Sequence, residues 1–299
     1  MAGELSTIQS LKAVDAWIDV INANINGGVR TAFKSSRLKF SGSNVDVQRA
    51  GTSTSLPLQM PESGLTTANT VIDFSQGAIT ASTENTHLAI QGDGFFLVTP
   101  AVSNGGGLGS NQYFLTRDGE FRTDSRGYLV NSSGLYLITA DASSGSLNGT
   151  CMRAVYNNID NTSNAAAGTV AIRLTDYLAN NFTAATVLAD GTGTLGAPAC
   201  TSLVRVTSGK QSLQYTQYGS TIFDQGYRWT PFQDHFPSLR LASGTTADAT
   251  ILNKSLEASN ASMTQSVPEL SLAQKLFSAL TKVLQTKQTN VDGVLNLVR

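Results

Sequence analysis

The chain has 299 residues, 20 of them basic and 21 acidic, for a net charge of −1, and 14% are charged, where an ordinary globular domain carries about 25%. No cationic excess is available to meet phosphates, which speaks against nucleic-acid binding; a hydrophobic content of 40% at near-zero net charge speaks against intrinsic disorder. Ser, Thr and Asn together make up roughly 29% of the chain, well above typical usage.

The first predicted element is a helix. Leu11, Val14, Ile18, Ile21 and Ile25 recur at alternating steps of three and four, the seam of a coiled coil, and Leu5 and Ile8 extend it upstream. Asn26-Gly27-Gly28 ends the pattern. Residues 41–75 are polar, rich in Ser and Thr and weakly periodic, and read as an extended linker or arm. From residue 76 onward short apolar runs such as 88–98 and 113–116 alternate with the turn signals Gly92-Asp93-Gly94, Asp118-Gly119, Arg126-Gly127 and Ser133-Gly134. That spacing predicts a β domain over 76–140. Residues 141–250 mix Asn-, Ala- and Gly-rich stretches with β-like runs at 170–174 and 203–206, as expected of an inserted outer β region with strands returning to the core. The last element, over 251–299, is again helical. Leu270, Ala273, Phe277, Leu280, Leu284, Lys287, Val291, Val294 and Val298 form its seam, Pro268 stands near its expected start, and Leu276, Val283 and Leu297 widen the apolar stripe.

The predicted fold class is therefore mainly β with paired N- and C-terminal α-helices, over 1–40 and 251–299, forming a coiled-coil-like terminal domain with one or two outer β domains. A two-helix pair is marginal alone, and the wide stripe expects partner subunits. No apolar run approaches the ~20 residues of a membrane span, and Met1-Ala-Gly-Glu-Leu-Ser-Thr-Ile lacks the basic start and apolar run of a secretory leader. The expectation is no membrane insertion, and either a cytosolic protein or export without a cleaved signal.

Chemistry-bearing motifs are sparse. Cys151 and Cys200 are distant from each other and from His87 and His235, so they read as buried thiols or, outside the cell, as one disulfide. No metal, cofactor or catalytic constellation is expected: neither a Gly-x-Ser-x-Gly elbow nor a phosphate-binding loop occurs, and Asp234-His235 reads as structural. Asp118, Glu120 and Asp124 cluster in one hairpin, where turn chemistry competes with a calcium site. A secreted adhesive or binding module is the competing class.

Three blocks give the chain a resemblance to the bacterial flagellar rod and hook family. Asn24, Ile25, Thr31, Phe33 and Lys34 match the end of that family's first helix, with Ala32 where a Gly is usual. Gly92, Gly94, Phe95 and Phe96, then Arg117 and Gly119 in Thr116-Arg117-Asp118-Gly119, are similar to its strand and hairpin signatures. Ser259, Asn260, Gln274 and Gln285 match its C-terminal block. The resemblance implies a self-assembling subunit of a helical tube, with terminal helices lining a channel. It also implies neighbouring axial proteins and an assembly cap as partners, export through the flagellar type III apparatus, and a place in the basal body or hook. A stretch at 49–65 is similar to the arm of distal-rod subunits, which favours rod over hook; a filament outside motility is the alternative use.

Overall fold

The computed structural model describes residues 2–42, 46–49, 58–60, 64–102, 112–141, 154–157, 172–178, 182–183, 199–206, 210–224, 241–243 and 249–297. The chain divides into two units, one built from 1–29, 35–73 and 261–299, the other from 30–34 and 74–260.

The first unit begins with helix α1 (Ala2–Gly27). Strands β1 (Ser36–Gly42), β2 (Asp46–Arg49), β3 (Leu58–Met60) and β4 (Leu65–Ile72) follow. β1 pairs antiparallel with β4, with a register shift between Lys39 and Phe40, and β2 pairs with β3. The stretch read as an extended arm is thus laddered. Its alternation was faint because the middle of β4 is exposed; β1 lies mostly within 1–40, expected as helix, where α1 instead ends at Gly27 and a strand follows. The β1–β4 ladder packs on α1: Trp17 meets Phe40 edge-on with centroids 5.6 Å apart. Asn24 brackets the first strand residue, donating to the Ser36 carbonyl at 2.7 Å and accepting the Ser36 amide at 2.9 Å. Near the helix start, the Leu65 amide donates to the Ser10 hydroxyl at 2.9 Å.

The second unit is β-rich. Its strands are β5 (Ile79–Ala81), β6 (Leu88–Gly92), β7 (Phe96–Thr99), β8 (Phe114–Thr116), β9 (Phe121–Thr123), β10 (Leu129–Asn131) and β11 (Tyr136–Ile138). Then come β12 (Ala140–Asp141), β13 (Val155–Tyr156), β14 (Ile172–Arg173), the short helix α2 (Leu174–Leu178), β15 (Phe182–Thr183), β16 (Ala199–Thr201) and β17 (Val204–Val206). The last are β18 (Gln214–Thr216), β19 (Gly219–Asp224), β20 (Leu241–Ser243), β21 (Ala249–Asn253) and β22 (Ser255–Glu257). A seven-stranded antiparallel sheet runs β18-β19-β8-β7-β11-β10-β9, while β21 pairs with β6 and β22 with β5.

Leu88, Ile90, Phe96, Val98, Phe121, Leu129 and Leu137 fill one core with Val155, Ile172, Tyr177, Leu203, Ile222 and Ala249. The described parts of 141–250 therefore share the core of 88–138. Tyr177 is held there by its hydroxyl donating to the Ser202 carbonyl at 2.7 Å, and Ser202 donates back to the Tyr177 carbonyl. Burial raises the Tyr177 phenol well above its ordinary value, so it stays a neutral donor.

Helix α3 (Met263–Leu297) returns to the first unit. It begins a turn before Pro268, which lies inside the helix, so the Thr264 carbonyl lacks the amide donor four residues on. Antiparallel to α1, it brings Ala273 onto Val14 and Ile21, all buried, with Trp17, Ile18, Ile25, Leu270 and Leu280 packed around them. Its one polar seam residue, Lys287, donates to the Thr7 hydroxyl at 2.9 Å. No helix among the described residues is long and apolar enough to cross a membrane.

Candidate functional site

The motif residues of the second unit converge on one buried carboxylate. Glu257, at the end of β22, is fully buried; Lys34 donates to its Oε1 at 2.7 Å and Arg117 to its Oε2 at 3.3 Å. The Gly77 amide adds a third donor at 2.9 Å. Lys34, 0% exposed, also donates to the Ser75 carbonyl at 2.7 Å. Arg117 spans to the carbonyls of Ile90 at 3.2 Å and Gly92 at 2.6 Å, and its guanidinium lies 5.6 Å from the Phe95 ring centre. Burial lowers the Arg117 pKa from its ordinary value, and the charges of Glu257 and Asp93 oppose that shift. Such a centre contributes little net stability against an apolar isostere, but removing one partner leaves charge buried without compensation. Its effect is to fix which segments meet: 30–34, 75–77, β6, the β8–β9 turn and β22.

Backbone contacts reinforce the convergence. The Ala32 amide donates to the Glu257 carbonyl at 2.8 Å and the Asn260 amide to the Phe33 carbonyl at 3.2 Å. The Asn260 side chain donates to the Ser75 carbonyl at 3.1 Å, with Ser259 adjacent in the chain. Ala32 adopts φ of 51°, a left-handed conformation that costs an L side chain about 1–2 kcal/mol. Gly119 is required by closeness: a Cβ there would fall 1.6 Å from the Leu88 carbonyl oxygen. Gly94 is buried between β6 and β7, and Phe95 and Phe96 are buried in the same stretch.

The hairpin acids are occupied as turn caps. Asp118 accepts from the Thr31 hydroxyl at 3.0 Å and the Glu120 amide at 3.1 Å. Burial raises the Asp118 pKa above the usual carboxylate value, with these hydrogen bonds opposing. Asp124 accepts the amides of Arg126 and Tyr128 at 2.8 and 2.9 Å. Among the described residues no group of His, Cys, Asp or Glu is placed to hold a metal ion. Cys151, Asp234, His235 and Val298 lie outside the described residues; Cys200 is placed by its backbone, in β16.

The terminal-helix residues divide into two groups. Val14 and Ile21 are buried, and Leu11, Ile18, Ile25, Leu270, Leu280 and Leu284 are half-buried. Phe277, Gln274, Gln285, Val291 and Val294 are exposed. Of these, Phe277 and Val291 continue the seam, whereas Val294 belongs to a second apolar side of α3, where Leu272 is 58%, Val294 61% and Leu297 86% exposed. Leu276 and Val283 lie on the same side, which the sequence pattern had already widened. Glu257 is the central residue that sequence reasoning did not single out. It stands inside the C-terminal block, but its cationic partners are distant in the chain and no spacing rule links them.

The comparisons with known proteins reach part of the chain. Residues 89–192 match the family model of the flagellar hook protein FlgE/F/G D1 domain. Part of the second unit is thus similar to the D1 domain of the flagellar hook and rod proteins. The flagellar hook protein FlgE of Helicobacter pylori is 36% identical over 136 residues, 44% of this chain but 18% of that protein. The flagellar basal-body rod protein FlgG of Buchnera aphidicola is 31% identical over 134 residues, 43% of this chain and 48% of that protein. The chain thus spans under a fifth of the hook protein's length and about half of the rod protein's. The crystal structure of Helicobacter pylori flagellar hook protein FlgE2 matches at 35% identity over 24% of this chain and 17% of that one, with a TM-score of 0.18, too low to speak for the fold.

Proposed function

We propose that the protein is a structural subunit of the flagellar axial structure, rod or hook, that assembles with copies of itself into a helical tube. The observation that carries this reading is the exposed apolar stripe of α3. Leu272, Leu276, Val283, Val294 and Leu297 lie on a helix whose other apolar seam is already packed on α1. Exposed apolar residues aligned on one helix side suit an interaction site, and the D1 match supports an axial assembly. The tube would transmit torque and pass exported subunits; neighbouring axial proteins, an assembly cap and the type III export apparatus are the partners this role requires. No catalytic step is assigned. Self-assembly is favoured over an adhesive role because the unpartnered surface is an apolar helix side.

The test is polymerisation of the purified full chain, followed by sedimentation and electron microscopy. Wild type forms tubes above a critical concentration. Leu276→Asp and Val294→Asp, both at exposed positions, keep the monomer's thermal stability within about 0.5 kcal/mol and fail to form tubes. Normal tubes from both variants would overturn the reading.

A further inference from the structure

The two terminal helices carry opposite charge on the sides turned away from their shared seam. On α1 the exposed residues Lys12, Asp15, Asp19, Asn22 and Asn26 form one side, opposite buried Val14 and Ile21, with two carboxylates against one ammonium. On α3 the exposed residues Ser271, Gln274, Lys275, Ser278 and Lys282 form one side, opposite buried Ala273. With Ala279 they line a shallow open groove of about 400 Å³. Asp15, Asp19, Lys275 and Lys282 take part in no ion pair among the described residues. The small side chains at 271, 278 and 279 would let a second helix backbone approach closely between the two lysines.

We propose that this groove on α3 receives the acidic side of α1 from a second copy of this chain, with Asp15 and Asp19 facing Lys275 and Lys282. The inference rests on the self-assembly reading above and adds which surfaces meet. Both surfaces are present on every copy and neither is complementary to itself, so the contact is heterologous and propagates from copy to copy instead of closing a two-fold dimer. It is separate from the apolar stripe of Leu272, Leu276 and Val283, which lies on another side of α3. Unlike charges here set which neighbour fits and in what order, since like-charge juxtaposition at an interface is strongly unfavourable.

The test uses the full chain and its critical concentration for polymerisation, measured by sedimentation in 0.1 M NaCl. Asp15→Lys/Asp19→Lys and Lys275→Glu/Lys282→Glu each raise that concentration about tenfold or more. An equimolar mixture of the two variants returns close to the wild-type value, because alternating copies bring unlike charges together at every junction. The quadruple variant, with both surfaces reversed, does the same. Circular dichroism matching wild type shows that the variants fold. Either double variant assembling as wild type does, or a mixture as poor as its components, would overturn the proposed pairing while leaving self-assembly standing. A wild-type chain that forms no polymer would overturn the assembly reading itself, and this pairing with it.

Discussion

The β unit and the helix pair solve the burial problem in opposite ways. In the β unit the charged groups Lys34, Arg117 and Glu257 are enclosed and answered from within the same chain, and the core draws on strands from β6 to β21. In the helix pair α1 packs on α3 and on the β1–β4 ladder yet leaves Leu5 and Ile8, expected in its seam, exposed, while α3 is covered along one seam and exposes more apolar residues elsewhere. Among the described residues, the large exposed apolar side chains lie almost entirely in the first unit. That difference separates the part that is folded as a single chain from the part proposed to be completed by neighbours.

Opening the buried centre disturbs the β unit most. Glu257→Ala leaves two buried cations without a carboxylate and costs the β unit about 3–5 kcal/mol. The loss is read as a lower urea midpoint for the β signal, with the helix signal of α1 and α3 retained. A variant as stable as wild type would show that the centre is hydrated or unimportant. A smaller effect of opposite sign sharpens the same point. Ala32→Gly relieves the left-handed strain beside Glu257 and stabilises the β unit by about 1 kcal/mol, measured in the same unfolding experiment. The smallest effect concerns pH. Because burial raises the folded-state pKa of Asp118 above its ordinary value, the protonated acid favours the folded state. That contribution is fully present below the ordinary Asp range near 3.9 and is lost as pH rises through the raised value. Asp118→Asn, which keeps the acceptor for Thr31, removes this part of the stability slope in unfolding curves taken across acidic pH.

Much of this contrast was legible in residues. The steps of three and four through Val14, Ile21 and Ala273 gave the helix seam, because a packed helix side imposes its own period. Lys34, Arg117 and Gly92 stood out as motif residues, and the structure joins them at one centre. Their common partner was not legible: Glu257 lies 223 residues from Lys34 and 140 from Arg117, and contacts of that range leave no periodic trace. The β1–β4 ladder was hidden for a different reason. Arg37-Leu38-Lys39-Phe40 alternates as a strand does, but over only four residues, and its partner β4 has a run of exposed residues in its middle with no alternation. The C-terminal helix was expected over 251–299, but 249–257 forms β21 and β22 and α3 begins at Met263, so Pro268 lies near the start but in the second turn.

In the single chain α3 leaves an apolar side uncovered. Hydrogen exchange of the soluble chain and of its polymer tests this most directly. The account predicts that backbone amides of 88–98 and 129–138 are protected in both states. Those of 288–297, beyond Lys287, exchange fast in the soluble chain and become protected in the polymer. Equal, strong protection of 288–297 in the soluble chain, or unchanged fast exchange in the polymer, would contradict it.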